Sequence, residues 1–227
     1  MIKKSDPYHR LSPVGDSALL LELGESLDPE INARVLGLDL WLKQSPFQGI
    51  KTWVPGYASL LVIYDPLEIA FPDVAYWMEG CLHSCPKAEL CSPKQVEVPV
   101  RYGGADGPDL VHVAECHGIS PSDVVRMHSS HTYRVGMMGF TPGFAYLMGL
   151  DPNLATPRLA TPRTQVPAGS VGIAGGQTGI YPSESPGGWQ LIGRTDCVLF
   201  DPAKEPHFML SPGDEVRFMA LDESRVR

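Results

Sequence analysis

The sequence predicts two domains, a small α+β layer followed by a mainly-β domain that closes as a compact barrel. Three observations predict it. Within the first 85 residues, apolar residues recur at helical spacing twice, each time after a pair of short apolar runs. Beyond Pro86 the pattern becomes a series of short runs bounded by glycine and proline. Gly 23 and Pro 22 among 227 residues favour turns and short strands over long helices.

In the first domain, Tyr8–Ser12 and Ala18–Leu23 read as strands around a Val14-Gly15-Asp16-Ser17 turn. Asp28-Pro29 opens a helix, because Asp28 can accept first-turn N–H groups and Pro29 at the first helical position loses no hydrogen bond. Ile31, Val35, Leu38 and Leu42 mark its apolar face, and Ser45-Pro46 ends it. Gly49–Val54 and Tyr57–Tyr64 follow as strands on either side of Pro55-Gly56. A second helix starts near Pro72 and carries Val74, Trp77, Met78, Cys81, Leu82 and Cys85. The order ββαββα implies helices on one face of a sheet. This domain spans residues 1–90, with 91–227 as the second.

In the second domain, Val96–Arg101 reads as a strand. Short helices are expected over Asp109–Cys116 and after Ser120-Pro121, where Ser120 precedes a proline and Asp123 lies in the first turn. Strands are then expected at Tyr133–Met138, Ser170–Ile173, Trp189–Gly193, Val198–Phe200 and Glu215–Met219, the last fed by a Pro212-Gly213-Asp214 turn.

Net charge of −8 and a pI near 5.3 exclude a global field that attracts nucleic acid or an anionic membrane. No run approaches the roughly 20 apolar residues of a membrane span. The start MIKKSDPYHR lacks the apolar core of a secretory signal, and five cysteines read as reduced thiols, so a cytoplasmic protein is expected. Cys81, Cys85 and Cys91 do not have a usual zinc spacing and read as buried structural thiols. Of His112, His117, His128 and His131, only His131 is marked, because it immediately precedes the strand entering the glycine-rich stretch. There is no G-x-S-x-G nucleophile turn and no Walker A phosphate loop.

That stretch, Gly139–Arg194, holds eleven glycines, seven prolines, three arginines, two acids and no lysine. It also holds Phe140, Phe144, Tyr146, Tyr181 and Trp189, which a flexible linker would not carry. A rigid, loop-built concavity is expected. Arg158 and Arg163 each follow Thr-Pro in TPRLATPR, where proline restricts the backbone. Such forks either clamp a carboxylate or phosphate or tie loop carbonyls and barrel carboxylates. Gln177 and Thr178 follow Ala174-Gly175-Gly176 and suit amide recognition; Trp189 suits either a rim or a core position.

GFTPGFAYL (139–147), TPRLATPRTQVPAGSVGIAGGQTGIYP (156–182) and SPGGWQLIGRT (185–195) resemble the family of 5-oxoprolinase B subunits, also called KipI-like or allophanate hydrolase subunit 1. So do VPVRYGG (98–104), GPDL (107–110) and PGDEVRF (212–218). The resemblance covers the second domain throughout and the first more weakly. It implies a cyclophilin-like barrel after an α/β domain. It also implies direct partnership with a related C subunit, and with an A subunit, in a bacterial enzyme that opens 5-oxo-L-proline to L-glutamate with ATP hydrolysis. The family holds two other activities: carboxyl transfer in urea carboxylase, and inhibition of a sensor histidine kinase.

On the 5-oxoprolinase reading the chain is a B subunit, inactive alone, with ATP (and Mg) held by the complex and no metal of its own. A lactam is a poor electrophile, so ATP would phosphorylate its oxygen to an imidate-like species. Such a pocket needs cation or N–H stabilisation, an apolar wall and exclusion of water. The candidate catalytic residues are Arg158, Arg163, Gln177 and His131. Candidate substrate contacts are Phe140, Pro142, Phe144, Gly175, Gly176, Thr178, Tyr181 and Trp189, with backbone donors expected from the two glycines.

Overall fold

The computed structural model describes residues 9–45, 47–85 and 93–221. The chain divides into two compact units, 1–92 and 93–227.

In the first unit, β1 (Arg10–Val14), β2 (Ala18–Glu22), β3 (Ile50–Pro55) and β4 (Ser59–Tyr64) form an antiparallel sheet in the order β1-β2-β4-β3. Pro13 and Pro55 lie on the two edge strands, where a missing ladder donor costs least. Helix α1 (Pro29–Gln44) starts where Asp28 accepts from Glu30 N–H at 2.7 Å and Ile31 N–H at 3.4 Å. Helix α2 (Phe71–Ser84) follows β4. Leu60, Val62 and Tyr64 alternate toward one face of β4, where they share a core with Leu19, Leu21, Val35, Leu38, Val74 and Met78. Cys81 joins that core, and burial pushes its thiol up to about 11, the behaviour of an inert packing group. Cys91 lies outside the described residues.

In the second unit, β5 (Gln95–Tyr102), β6 (Thr132–Met138), β7 (Ala145–Met148), β9 (Ser170–Ala174), β10 (Gln177–Ile180), β12 (Gln190–Arg194) and β13 (Glu215–Ala220) close into a seven-stranded barrel. Its order is β10-β7-β6-β13-β5-β12-β9, with β13 parallel to β5 and the other pairs antiparallel. A separate ribbon pairs β8 (Arg163–Val166) with β11 (Ser185–Gly187). Val98, Val135, Leu147, Ile173, Ile180, Ile192 and Phe218 fill the interior. Helices α3 (Leu110–His117) and α4 (Pro121–Ser130) add Leu110, Val113, Val124 and Val125 to the same core.

Two expectations are corrected. Val198–Phe200 is not a strand; it makes one isolated bridge, Phe200 to Phe208, with the two rings stacked at 5.1 Å. Gly139–Arg194 is not loop-built: six strands, β7 to β12, lie within it. Four of its eleven glycines, Gly172, Gly179, Gly187 and Gly193, sit inside strands, at places where a neighbouring side chain or backbone takes the space of a side chain. At Gly179 an added Cβ would meet Ala145 O at 3.0 Å, Trp189 Cζ3 at 3.1 Å and Phe144 Cζ at 3.2 Å.

Candidate functional site

Strand alternation sorts the residues of β7, β9, β10 and β12 onto two faces. Ala145, Leu147, Val171, Ile173, Thr178, Ile180, Gln190 and Ile192 face the barrel interior, where all are buried. Tyr146, Gly172, Ala174, Gln177, Gly179 and Leu191 face outward. Across this outer face run Leu191, Gly172, Gly179 and Tyr146, paired strand to strand, so the two glycines form a flat floor. The rings of Phe144 and Trp189 occupy the space that floor leaves, 5.4 Å apart and nearly perpendicular.

Tyr146, Phe140 and Tyr181 complete the aromatic cluster. Tyr146 lies 4.7 Å from Phe144 and 5.8 Å from Trp189; Tyr181 lies 5.3 Å from Phe144. Burial pushes the Tyr181 phenol up while a Trp189 backbone bond pulls against it, and burial likewise pushes up Tyr146 against the pull of Arg158. Phe140 stands out of the cluster at 58% exposure, edge-on to Phe144 and Tyr181. The hairpin loop explains its position. Thr141-Pro142-Gly143-Phe144 is a β-turn closed by Phe144 N–H to Thr141 O at 3.0 Å, with Gly143 at φ +88. Before it, Thr141 N–H reaches Gly139 O at 2.9 Å, and Phe140 between them is forced to φ +69. A bulky side chain at positive φ is strained backbone, held here by the turn that follows.

Among the described residues, Arg158 is an exposed cation beside this face. Its guanidinium carbon lies 5.9 Å from the Trp189 ring centroid, within range of a cation–π contact. Its loop is bolted on both sides: Gly175 N–H to Thr156 O at 2.7 Å, Gln190 Nε2 to Pro157 O at 2.8 Å and Leu159 N–H to Gly188 O at 2.7 Å. Arg158 is therefore held by its backbone, with donor edges left for a ligand.

The structure does not bring every expected residue to this face. Arg163 makes no fork with Arg158, because Asp109 accepts its Nη2 at 2.7 and 2.9 Å and Trp189 O accepts its Nη1 at 3.3 Å. Thr178 points into the barrel and donates to Gly172 O at 2.9 Å. His131 ends α4, where its Nδ1 donates to Met127 O at 2.8 Å. Gly175 N–H is taken by Thr156, so Gly175-Gly176 is a tight turn rather than a paired donor site. Phe140, Pro142, Phe144, Gln177, Tyr181 and Trp189 do belong to the face or its loop, with Phe144, Tyr181 and Trp189 forming its buried base.

Beneath the face lies a buried polar chain that sequence reasoning passed over. Thr178 Oγ1, donating to Gly172, accepts from His128 Nε2 at 2.9 Å; His128 Nδ1 then accepts from the Tyr102 hydroxyl at 2.8 Å. Burial, and secondarily His131, pushes the His128 pKa down to about 3, so the ring is neutral. It stacks on Phe218 at 4.5 Å.

Comparison with known proteins agrees with this architecture. Residues 9–210 match the family described as carboxyltransferase domain, subdomain C and D. The 5-oxoprolinase B subunit of Bacillus subtilis is 39% identical over 95% of this chain and 94% of its own length. That of Escherichia coli O157:H7 is 42% identical over 92% and 95%. The chain belongs to the family of 5-oxoprolinase B subunits. Among solved structures, TTHA0988 matches 90% of this chain at 40% identity with a TM-score of 0.80, and this chain spans 40% of that longer one. The Kluyveromyces lactis urea amidolyase matches all of it at 25% identity and a TM-score of 0.82, over 16% of its own length.

For a member of this family, the residues missed by sequence reasoning were Tyr146, Asp109 and His128. Their only signals were weak ones: Asp109 sits at a helix start and Tyr146 in an aromatic-rich run. Among the described residues, no group of histidines, cysteines and acids is placed to hold a metal ion. No helix there is long and apolar enough to cross a membrane.

Proposed function

We propose that this chain is the B subunit of an ATP-dependent 5-oxoprolinase that converts 5-oxo-L-proline to L-glutamate together with A and C subunits. The observation that carries this reading is the near-full-length match to two proteins named as 5-oxoprolinase B subunits, at 39% and 42% identity. The outer face suits the substrate class. Arg158 offers a planar fork to the carboxylate, Phe140 and Tyr146 offer apolar edges to a five-membered ring, and Gln177 offers a neutral amide to the lactam. Net, one water adds across the lactam C–N bond to give the γ-carboxyl and α-amino groups of glutamate, while a second water is consumed as ATP becomes ADP and phosphate.

One fixed arginine suits one carboxylate and does not make a triphosphate cradle. Arg163 is committed to Asp109 and Gly175 N–H to Thr156, so no ATP step is assigned to residues of this chain. The face is a sheet surface with exposed Phe140, and a covering partner would supply both the exclusion of water and the phosphate site. Direct contact with the C subunit, a cytoplasmic location and inactivity of the isolated chain all follow from this reading.

The test is reconstitution. The chain, candidate A and C subunits, ATP and 5-oxoproline are mixed, and glutamate is measured. Glutamate formation is expected only with all three chains; undiminished formation by the other two without this chain would refute the assignment. A second reading, carboxyl transfer of the urea carboxylase type, is favoured by the carboxyltransferase family match over residues 9–210 and by the urea amidolyase structure. It predicts consumption of carboxybiotin in place of ATP-dependent glutamate release.

A further inference from the structure

A second surface lies wholly within the first unit. The end of α1, the turn at residues 65–70 and α2 bound an open groove of about 1230 Å3. That exceeds the roughly 300–1,000 Å3 of a small-ligand pocket. Its wall is aromatic: Phe47 and Trp77 stack at 4.9 Å and 18°, and half-buried Trp41 also lines it. Leu67 and Tyr76 stand on its rim at 96% and 84% exposure. Large apolar side chains that exposed, around an aromatic wall, mark a surface built to be covered.

The groove is predominantly acidic. Glu68, Asp73 and Glu79 line it with one histidine, His83, whose Nδ1 lies 2.7 Å from the Glu79 carbonyl oxygen, and among the described residues no lysine or arginine does. Nearby lysines answer other acids: Lys43 Nζ lies 2.7 Å from Asp39, and Lys51 Nζ lies 2.9 Å from Asp65. His9 reaches both Glu79 oxygens at 3.0 Å. Glu68 and Asp73 have no ion-pair partner among the described residues. The C-terminal end of α1, at Trp41 and Ser45, adds the partial negative charge of its last carbonyls. The positive end of α2 carries only about half an elementary charge, so its own first-turn acid, Asp73, still leaves that end of the groove net negative.

We propose that this groove docks a segment of a partner polypeptide that sets a lysine or arginine beside an aliphatic or aromatic side chain. The cation meets Glu68 and Asp73, which speeds and orients the encounter; the apolar side chain meets the Phe47–Trp77 wall, which holds it. The proposal stands whether or not the reaction assigned above is correct.

The test uses the full chain and two capped nine-residue peptides of the same spacing, one of leucine and lysine, the other of leucine and glutamate. Trp41 and Trp77 line the groove, so tryptophan fluorescence follows the titration. Saturable binding of the lysine peptide and none of the glutamate peptide is expected. Affinity should fall at least tenfold in Asp73→Lys, in Glu68→Lys and in Tyr76→Ser. Glu115→Lys makes the same charge change on exposed α3 of the other unit and should bind as the parent does. If Glu115→Lys weakens binding as much as Asp73→Lys, the peptide reads only net charge and the proposal fails. It fails too if Tyr76→Ser binds normally, or if sedimentation shows a dimer that Tyr76→Ser dissociates, since a second copy then fills the groove.

Discussion

The Asp109 carboxylate accepts Arg163 Nη2 at 2.7 and 2.9 Å and, on the same group, the Leu191 backbone N–H at 2.6 Å. One acid at the start of α3 thus ties the first residue of β8 to β12, the strand that Trp189 immediately precedes. Arg163 also donates to Trp189 O. Asp109→Asn should cost about 1–3 kcal/mol, since it leaves a half-buried guanidinium without its counter-charge. Arg163→Ala should cost as much, and the double variant less than the sum. Urea unfolding of the four proteins measures it; strictly additive effects would show that the two residues act apart.

Arg158 differs from Arg163 in being exposed and, among the described residues, unpaired with any acid, so its loss should leave the fold intact. In the assembled enzyme, Arg158→Ala is expected to raise KM for 5-oxoproline at least tenfold with the unfolding midpoint unchanged. Arg158→Lys should recover little, because a point charge cannot replace a planar fork. Normal KM in Arg158→Ala would remove this residue from the site.

Gly179 is expected to accept a side chain only at a cost, because its neighbours would have to give way. An added methyl would meet Ala145 O, Trp189 Cζ3 and Phe144 Cζ between 3.0 and 3.2 Å, and the two rings are buried on all sides. Gly179→Ala should destabilise by about 1–3 kcal/mol and shift tryptophan emission as Trp189 is displaced. Unaltered emission with full stability would show that the floor can yield.

Phe140 should behave in the opposite way. Its φ of +69 is unfavourable for any side chain by about 1–2 kcal/mol, and its ring is 58% exposed. Phe140→Gly is therefore expected to keep or raise the thermal midpoint while lowering activity of the assembled enzyme. A large loss of stability would mean that the ring, rather than the turn, holds the loop.

The buried His128 sets a pH dependence. Its pKa falls from the ordinary 6.5 to about 3 on folding, so between those values the unfolded chain binds a proton that the folded chain does not. Stability should fall as pH drops through that window, by about 1.4 kcal/mol per unit from this group alone. Urea unfolding of the parent and of His128→Gln at pH 7, 6 and 5 measures the difference in slope; equal slopes would show that His128 keeps its ordinary pKa on folding.

How much of this was legible in the sequence depends on how far apart the interacting residues lie. Asp28 caps α1 through N–H groups two and three residues away, and Pro29 fits the first turn by its own geometry. Such contacts can be read from neighbours alone. The strand at 177–180 could not be: QTGI has a glycine and two polar residues, and it is a strand only because Leu147 and Ile173 pair with Thr178 from either side. Gly172 and Gly179 are the reason two rings can lie against the sheet, whereas Gly175-Gly176 form the turn between β9 and β10. The matched phrases around Arg158 and Arg163 likewise gave no sign that one arginine is free and the other taken, since Asp109 lies 54 residues before Arg163.

By itself the sequence determined the helix starts, the apolar strand runs of the first unit, the aromatic and arginine content of the site, and the family. Those follow from local backbone chemistry and from motifs that survive as strings of residues. Only the tertiary structure decided which face each side chain takes. Thr178 and Gln177 are neighbours, yet one serves the barrel core beside His128 and the other the outer face with Tyr146. The physical reason is strand alternation under barrel closure: register is set by pairing partners distant in sequence, and a shift of one residue would exchange every side chain between core and site.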